Sequence, residues 1–241
     1  KFIHIADMHF DTTFESLKDP LFAGFTDPSH KNHTQKKREA ASNEAENRKS
    51  GAGTVMSTET AANLIKNVLD FCGVASDISF MFQGGEPLLA GIDYFRSFIS
   101  TVNSLKDEKT TVNYSLQTNG TLIDEEFCGF FKENNFLIGV SLDGDEATHN
   151  AHRCDSFEKV MQGIGLLKKH GVDFNILSVI TSKTDAAKLF EFYIQNDFRD
   201  VQPIYCLDPL NGEKSTFSLD AKGFARFQKR FFNLWFSEIS R

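Results

Sequence analysis

The feature that most constrains the fold is an alternation of short apolar runs with amphipathic segments, which repeats from about Thr58 onward. The apolar runs start near residues 78, 112, 136, 173 and 200, and a segment of helical periodicity follows each one. One further helical segment precedes them, in which Ala61, Ile65, Val68 and Cys72 recur with the spacing of one helix face. Strand–helix repetition of this kind is typical of parallel sheets connected by right-handed crossovers. We therefore expect an α/β fold.

The ends of the predicted elements carry ordinary signals. Ser57 is expected to cap the first helix, because its hydroxyl can accept a hydrogen bond from an unpaired backbone N–H of the first turn. Gly73 is expected to end that helix. The predicted strands are about 78–82, 112–116, 136–142, 173–181 and 200–206, and the later predicted helices include 123–134, 156–169, 185–196 and 220–237.

Polar and glycine-rich segments come directly after three of these strands. They are QGGEP (83–87), QTNG (117–120) and DG (143–144). A partial or full barrel and an open doubly wound sheet both place such strand exits at one edge, where ligands bind. The paired glycines let the backbone approach a ligand closely, and Glu86 can pair with an ammonium group. The pattern predicts a site at the carboxyl edge of the sheet and leaves the choice between the two architectures open.

Composition narrows the classes of partner. The 241 residues carry a net charge of −7, which does not favour nucleic acid. No apolar run reaches the roughly 18–20 residues that a membrane helix needs, so we expect no membrane association. The four cysteines, Cys72, Cys128, Cys154 and Cys206, lie far apart and form no metal-binding pair. We interpret them as reduced thiols and expect a cytoplasmic protein.

The order of the strand-exit motifs resembles that of the radical S-adenosylmethionine (radical SAM) enzymes. Residues 43–241 are most similar to the core of the anaerobic sulfatase-maturating enzymes, through the strings EAENR (44–48), FQGGEP (82–87), SLQTNG (115–120) and CLDPL (206–210). The resemblance implies a partial (βα) barrel of parallel strands. It also implies an oxidoreductase that uses S-adenosylmethionine and a 4Fe–4S cluster. Its substrate would be a peptide or protein, a sulfatase, whose target cysteine or serine becomes formylglycine.

The same resemblance implies roles for residues at the strand exits. Glu86 would be the charge partner of the cofactor's amino group. Ser141 and Arg153 would hold its carboxylate and ribose end, and Leu207 would lie against the adenine. The implied cofactor-binding residues are Gly84, Gly85, Glu86, Ser141, Arg153 and Leu207, and the implied substrate-binding residues are Gln83 and Gln117.

One part of the family pattern is missing. Those enzymes bind three irons through a C-x-x-x-C-x-x-C triplet, which should lie just before Glu44. No cysteine occurs before Cys72, so we expect the cluster ligands to be absent and the chain to be inactive without the cluster loop. The cysteines present are interpreted as buried apolar residues, with Cys206 nearest to the site because it ends a strand. We also expect the core to be truncated at its C-terminus relative to the family.

The first 40 residues resemble a different family, the calcineurin-like metallophosphoesterases of the DNA-repair exonuclease type. Asp7 and His9 form the D-x-H pattern that those enzymes place after their first strand to bind a divalent metal. The later motifs of that family are absent from the sequence. We therefore predict two units, a phosphoesterase-like segment over 1–42 and a radical-SAM-like partial barrel over 43–241.

Three functional hypotheses remain open. The first is a sulfatase-maturase-like core that recognises S-adenosylmethionine, and the second is a metal-dependent phosphoesterase or exonuclease fragment that uses Asp7 and His9. The third is a non-catalytic binding module that uses the same strand-exit surface. Three further histidines, His149, His152 and His170, are interpreted as surface residues without a role.

Overall fold

The computed structural model describes residues 55–206 and 215–239. In this part of the chain, five parallel strands form one sheet, and each strand pairs with the strand that follows it in sequence. The strands are β1 (Asp77–Phe82), β2 (Thr111–Thr118), β3 (Phe136–Ser141), β4 (Asp173–Ile180) and β5 (Val201–Tyr205).

Helices connect the successive strands. Because right-handed crossovers between neighbouring strands all place their helices on the same face, the sheet curls around its other face into a partial barrel. A doubly wound sheet needs a reversal of strand order, which the described strands do not have. The helices are α1 (Thr58–Cys72), α2 (Ile92–Leu105), α3 (Glu125–Glu133), α4 (Glu146–Asn150), α5 (Phe157–His170), α6 (Ala186–Gln195) and α7 (Ala221–Ile239).

The two faces of the sheet differ in chemistry. In β1, the buried side chains of Ile78, Phe80 and Phe82 alternate with the partly exposed Ser79 and Met81. The same alternation continues through the second halves of β2 and β4. Since side chains of a strand alternate between its faces, the buried set points to the helices and the partly exposed set lines the concave face. The concave face is therefore the more open side, with polar and apolar side chains, on which a ligand site can form.

Aromatic rings pack α2 against the helix-facing side of the sheet. The ring centroid of Phe82 lies 5.0 Å from that of Phe95 and 4.9 Å from that of Phe98, and both contacts are edge-to-face. Such contacts contribute about 0.5–1.5 kcal/mol each beyond the apolar area that they bury. The many phenylalanines thus make a rigid layer behind the strands, which fixes the positions of the strand exits.

The predicted elements are confirmed, with ends that agree to within two residues. Ser57 accepts a hydrogen bond from the backbone N–H of Thr60, and Gly73 ends α1 with a φ of 73°. The patterns missed α4 and a short 3-10 helix, Pro87–Ala90, because both are single turns within strand-exit loops. In the part of the chain that the structure describes, no helix has both the length and the apolar character to cross a membrane.

Candidate functional site

Glu86 ties the exit of β1 to the exit of β2. Its Oε1 accepts hydrogen bonds from the Thr118 hydroxyl (2.7 Å) and the Leu88 N–H (3.1 Å), and its Oε2 accepts one from the Asn119 N–H (2.7 Å). All three donors are uncharged, so none of them is a cationic partner for the carboxylate. A carboxylate has about four acceptor positions, which leaves capacity for one more donor. Glu86 is half-buried at the carboxyl edge and is therefore a site for a cation.

The backbone before Glu86 depends on its glycines. Gly84 has a φ of 105° and Gly85 a φ of 47°, both in the left-handed region that side-chain-bearing residues rarely adopt. This local reversal brings the chain from β1 into the 3-10 helix and aims Glu86 across at β2. The role predicted for the glycine pair, a close approach of the backbone to a ligand, stays a prediction.

The exits of β2 and β3 are joined on the concave face by Gln117 and Ser141. The Gln117 Nε2 donates to the Ser141 Oγ at 3.1 Å. Gly139 is the register partner of Gln117 in the neighbouring strand, and a Cβ at that position would lie 2.1 Å from the Gln117 Oε1. The missing side chain at position 139 therefore makes the space in which the Gln117 amide lies.

An ion pair between Asp143 and Arg153 lies in the loop that follows β3 and connects this loop to β4. The Asp143 side chain is 3% exposed, and its carboxylate accepts from the Arg153 Nε at 2.5 Å and from the Arg153 Nη2 at 3.2 Å. The same carboxylate accepts from the Val179 N–H of β4 at 2.8 Å. Three strong donors therefore compensate this carboxylate for its removal from water.

The interpretation of His149 as a surface residue is wrong. Its side chain has no solvent exposure, its Nδ1 accepts from the Asp143 N–H (3.3 Å) and its Nε2 lies 2.9 Å from the Ser156 hydroxyl. Burial, together with the charge of Arg153, lowers the pKa of His149, while Asp143 acts in the opposite sense. The ring is buried because the missed helix α4 folds back over the β3 exit. His152 is exposed, as predicted.

The interpretation of the cysteines as buried apolar residues holds only for Cys128, where burial raises the pKa to about 11. Cys154 is exposed, and Cys72 and Cys206 are partly exposed. Cys206 follows β5 at the carboxyl edge, as predicted, and its N–H donates to the Ile180 carbonyl. Cys72 ends α1 near the opposite edge. The carboxyl edge therefore carries two thiols, those of Cys154 and Cys206.

The structure brings the strand exits together as the sequence predicted. Glu86 bonds to the exit of β2, Gln117 bonds to the exit of β3, and Asp143 bonds to β4. Among the predicted residues, Leu207, Asp7 and His9 lie outside the described residues. Sequence reasoning missed Asp143, Thr118 and Gly139 as parts of the site, although each lies within or beside a motif that it had singled out. These three residues contribute by contacting other site residues, and the spacing of residues in the sequence does not reveal such contacts.

Comparison with known proteins then decides the family. A family model described as the Radical SAM superfamily matches residues 30–192. The chain belongs to the radical SAM superfamily. The comparisons give no support to the phosphoesterase resemblance of residues 1–40.

Relatives within the superfamily are named for one activity. A cysteine-type anaerobic sulfatase-maturating enzyme of Clostridium novyi is 41% identical over 188 residues, which is 73% of this chain and 50% of that protein. The enzyme of the same name from Clostridium perfringens strain 13 is 38% identical over 204 residues, 81% of this chain and 55% of that protein. The chain thus spans about half the length of these curated relatives.

A solved structure confirms the architecture of this radical SAM chain. It is that of native anSMEcpe with bound AdoMet and Kp18Cys peptide, at 38% identity and a TM-score of 0.73. The match covers 77% of this chain and 53% of that one. The agreement shows that the partial barrel is the fold of this chain, as the consecutive strand order indicates.

The residues of this radical SAM chain do not fit the 4Fe–4S cluster that the family resemblance implies. Such a cluster needs three neighbouring thiolates from one protein, and the carboxyl edge has two. Residues 1–71 contain no cysteine. Within 55–206 and 215–239, no three histidine, cysteine or acidic side chains come together as a metal site. The cysteines that the sequence does contain therefore do not replace the missing triplet.

Proposed function

We propose that the carboxyl edge of the sheet binds S-adenosylmethionine and that the chain is a recognition core of the anaerobic sulfatase-maturating type. The peptide that it recognises would carry a cysteine or serine in the position of the sulfatase target. Two observations support this: the identity of 38–41% to proteins named as such maturases, and a similar solved structure named for bound AdoMet and a cysteine peptide. Residues 43–241 are the unit to which we assign this function.

The set of hydrogen-bond partners of Glu86 carries the proposal. S-adenosylmethionine has an ammonium group, and Glu86 is an anion whose described partners are all neutral donors. An ammonium group would use the remaining acceptor capacity without displacing the bonds that hold the loop. Gly84 and Gly85 would admit the ligand beside the backbone. No charged partner competes for Glu86 in the described hydrogen bonds, and this makes the residue suitable for a cationic group.

We assign the carboxylate and ribose end of S-adenosylmethionine to the residues at and after the end of β3. Arg153 and Ser141 would hold the carboxylate and ribose end, and Leu207 would contact the adenine. Gln83 and Gln117 would face the peptide, since both lie on strand exits next to the cofactor-binding residues. Because the residues present do not fit the cluster, we expect this chain to recognise S-adenosylmethionine and the peptide without cleaving the cofactor.

Isothermal titration of S-adenosylmethionine into the full chain tests the binding. We expect saturable binding, and we expect Glu86→Gln to weaken it about tenfold, the usual effect of losing a hydrogen bond to a charged group. Glu191→Gln is the matched control, because Glu191 is an exposed carboxylate that accepts from Gln195 on α6. No binding by the unmodified chain, or equal binding by all three proteins, would contradict the proposal.

A second assay separates recognition from turnover. After anaerobic incubation with iron, sulfide and a strong reductant, we expect no 5′-deoxyadenosine from S-adenosylmethionine. A cysteine-containing sulfatase peptide should still bind to the S-adenosylmethionine-loaded chain, and the same peptide with alanine in place of the cysteine should bind less tightly. Stoichiometric cleavage would show that the thiols of this chain suffice for a cluster, contrary to our assignment.

A further inference from the structure

The ion pair after β3 is buried at one end and partly exposed at the other. The Asp143 carboxylate is 3% exposed, whereas the Arg153 side chain is 28% exposed. Apolar side chains of similar volume often replace a buried ion pair with no loss of stability. Stability alone therefore does not require charged side chains here, and the guanidinium is available for a role in binding. The partly exposed end of Arg153 is where that role can lie.

The contacts use only one side of the guanidinium group. An arginine has five N–H donors in a planar fork, and Asp143 takes the one on Nε and one of the two on Nη2. The other N–H of Nη2 and both of Nη1 have no partner among the hydrogen bonds of this pair. A guanidinium end of this kind matches a carboxylate through two parallel hydrogen bonds. Asp143 thus fixes the plane of the fork and leaves its outer end for an anion.

A second set of contacts closes the loop behind the ion pair. The Ser156 hydroxyl donates its one hydrogen to the Arg153 carbonyl at 2.7 Å, so the nearby His149 Nε2 must be the donor to Ser156. The His149 Nδ1 then accepts from the Asp143 N–H. Asp143 and Arg153 are therefore linked twice, once through their side chains and once through His149 and Ser156. This double link restrains both the backbone and the side chain of Arg153.

We propose that Asp143 is a positioning residue, which holds the Arg153 guanidinium side-on so that its outer N–H groups bind the carboxylate of a ligand, with His149 and Ser156 as the backbone brace. The inference rests on the proposed function, in which that ligand is S-adenosylmethionine. Because Asp143 neutralises Arg153, recognition depends on the direction of the donors and not on net charge. The carboxylate of the ligand is the group whose binding responds to Asp143.

The test compares two probes, S-adenosylmethionine and its decarboxylated analogue, by titration into the full chain. Asp143→Asn should weaken binding of S-adenosylmethionine about tenfold, and binding of the analogue should stay within about twofold. A merely structural role would weaken both probes alike. Asp197→Asn is the matched control, because Arg199 Nε and Nη2 bind Asp197 side-on at 3.0 and 3.4 Å, but both side chains are more than 70% exposed. That pair precedes β5, at the opposite edge of the sheet.

The outcomes separate this inference from the function on which it rests. If the unmodified chain and Asp143→Asn bind S-adenosylmethionine equally, the positioning role is wrong and the proposed function stands. If the unmodified chain binds neither probe, both are wrong. Should Asp143→Asn fail to fold, Ser156→Ala replaces it, since it removes the brace from His149 to the Arg153 carbonyl and leaves the side-chain contacts between Asp143 and Arg153 in place. We then expect about a threefold loss for S-adenosylmethionine and none for the analogue, and equal losses would overturn the inference.

Discussion

Two carboxylates at the carboxyl edge, Glu86 and Asp143, each connect one strand exit to the neighbouring strand, but in the described part of the chain only Asp143 has a cationic partner. Glu86 follows β1 and accepts from the Asn119 N–H at the exit of β2, and Asp143 follows β3 and accepts from the Val179 N–H of β4. Each carboxylate thereby locks one strand exit to its neighbour. Their other partners differ, because Glu86 bonds only to neutral groups and Asp143 bonds to Arg153.

The difference shows how one sheet edge can offer opposite polarities. Glu86 is half-buried and has no cationic partner among the described residues, so its carboxylate is available to a cation. Asp143 is paired with Arg153, so the groups available to a ligand there are the outer N–H donors of Arg153. A ligand with both an ammonium and a carboxylate group would satisfy both ends. The proposed binding of S-adenosylmethionine follows from this contrast together with the family membership.

The largest expected effect is on stability. Asp143→Ala leaves the guanidinium of Arg153 and the Val179 N–H without their partner, and we expect a loss of about 3 kcal/mol in the free energy of unfolding. Glu86→Ala removes bonds from three uncharged donors in a half-buried site that water can reach, so we expect a smaller loss of about 1–2 kcal/mol. Urea denaturation of both variants measures the difference. Equal losses would break the comparison.

A smaller effect should appear in the pH dependence, because a buried histidine stands behind Asp143. Histidine ordinarily has a pKa of 6.5, and burial lowers the pKa of His149 in the folded chain. Between the two values the unfolded chain binds more protons than the folded chain, so this contribution to stability is present above pH 6.5 and is lost as the pH falls.

His149→Asn tests this, since its amide oxygen can accept from the Asp143 N–H and does not titrate. We expect its free energy of unfolding to fall less steeply than that of the unmodified chain between pH 7 and pH 5. His152→Asn, at an exposed histidine, is the control and should keep the original slope. An unchanged slope in His149→Asn would show that His149 is not the titrating group.

The smallest effect concerns the link between the two carboxylate clusters, the bond from Gln117 to Ser141. Gly139→Ala should displace the Gln117 amide, because the new Cβ would lie 2.1 Å from its Oε1. The displaced atom is the end of a flexible side chain, so we expect a stability change below about 1 kcal/mol. The NMR signal of the Gln117 side-chain amide should shift, and that of the exposed Gln195 should not. An unshifted Gln117 signal would contradict the packing described here.

The sequence was sufficient for the elements and for the edge at which the site lies. Strand and helix periodicity fixed the ends to within two residues, and the polar exits of consecutive parallel strands had to meet at one edge. Periodicity alone left the partial barrel and the doubly wound sheet open, whereas the family resemblance implied the partial barrel, which is confirmed. The consecutive pairing order decided that choice, and pairing order is a tertiary property.

The contacts within the site were beyond sequence reasoning for a different reason. His149 was taken for a surface residue because α4 is a single turn without a visible period. The side-on pair of Asp143 and Arg153 joins residues ten apart, across a loop whose path no periodicity describes. Gly139 was unremarkable until the register placed it opposite Gln117. Each of these depends on loop geometry or strand register, and neither can be read from residue spacing.

A crystal structure of the chain with S-adenosylmethionine would show directly whether the two carboxylate clusters bind opposite ends of one ligand. We expect the ligand at the carboxyl edge, with its amino group bonded to the Glu86 carboxylate and its carboxylate bonded to the outer N–H groups of Arg153. The bonds from Glu86 to Asn119 and from Arg153 to Asp143 should remain intact. Ligand bound elsewhere, or bound in the reverse orientation with its carboxylate beside Glu86, would contradict this expectation.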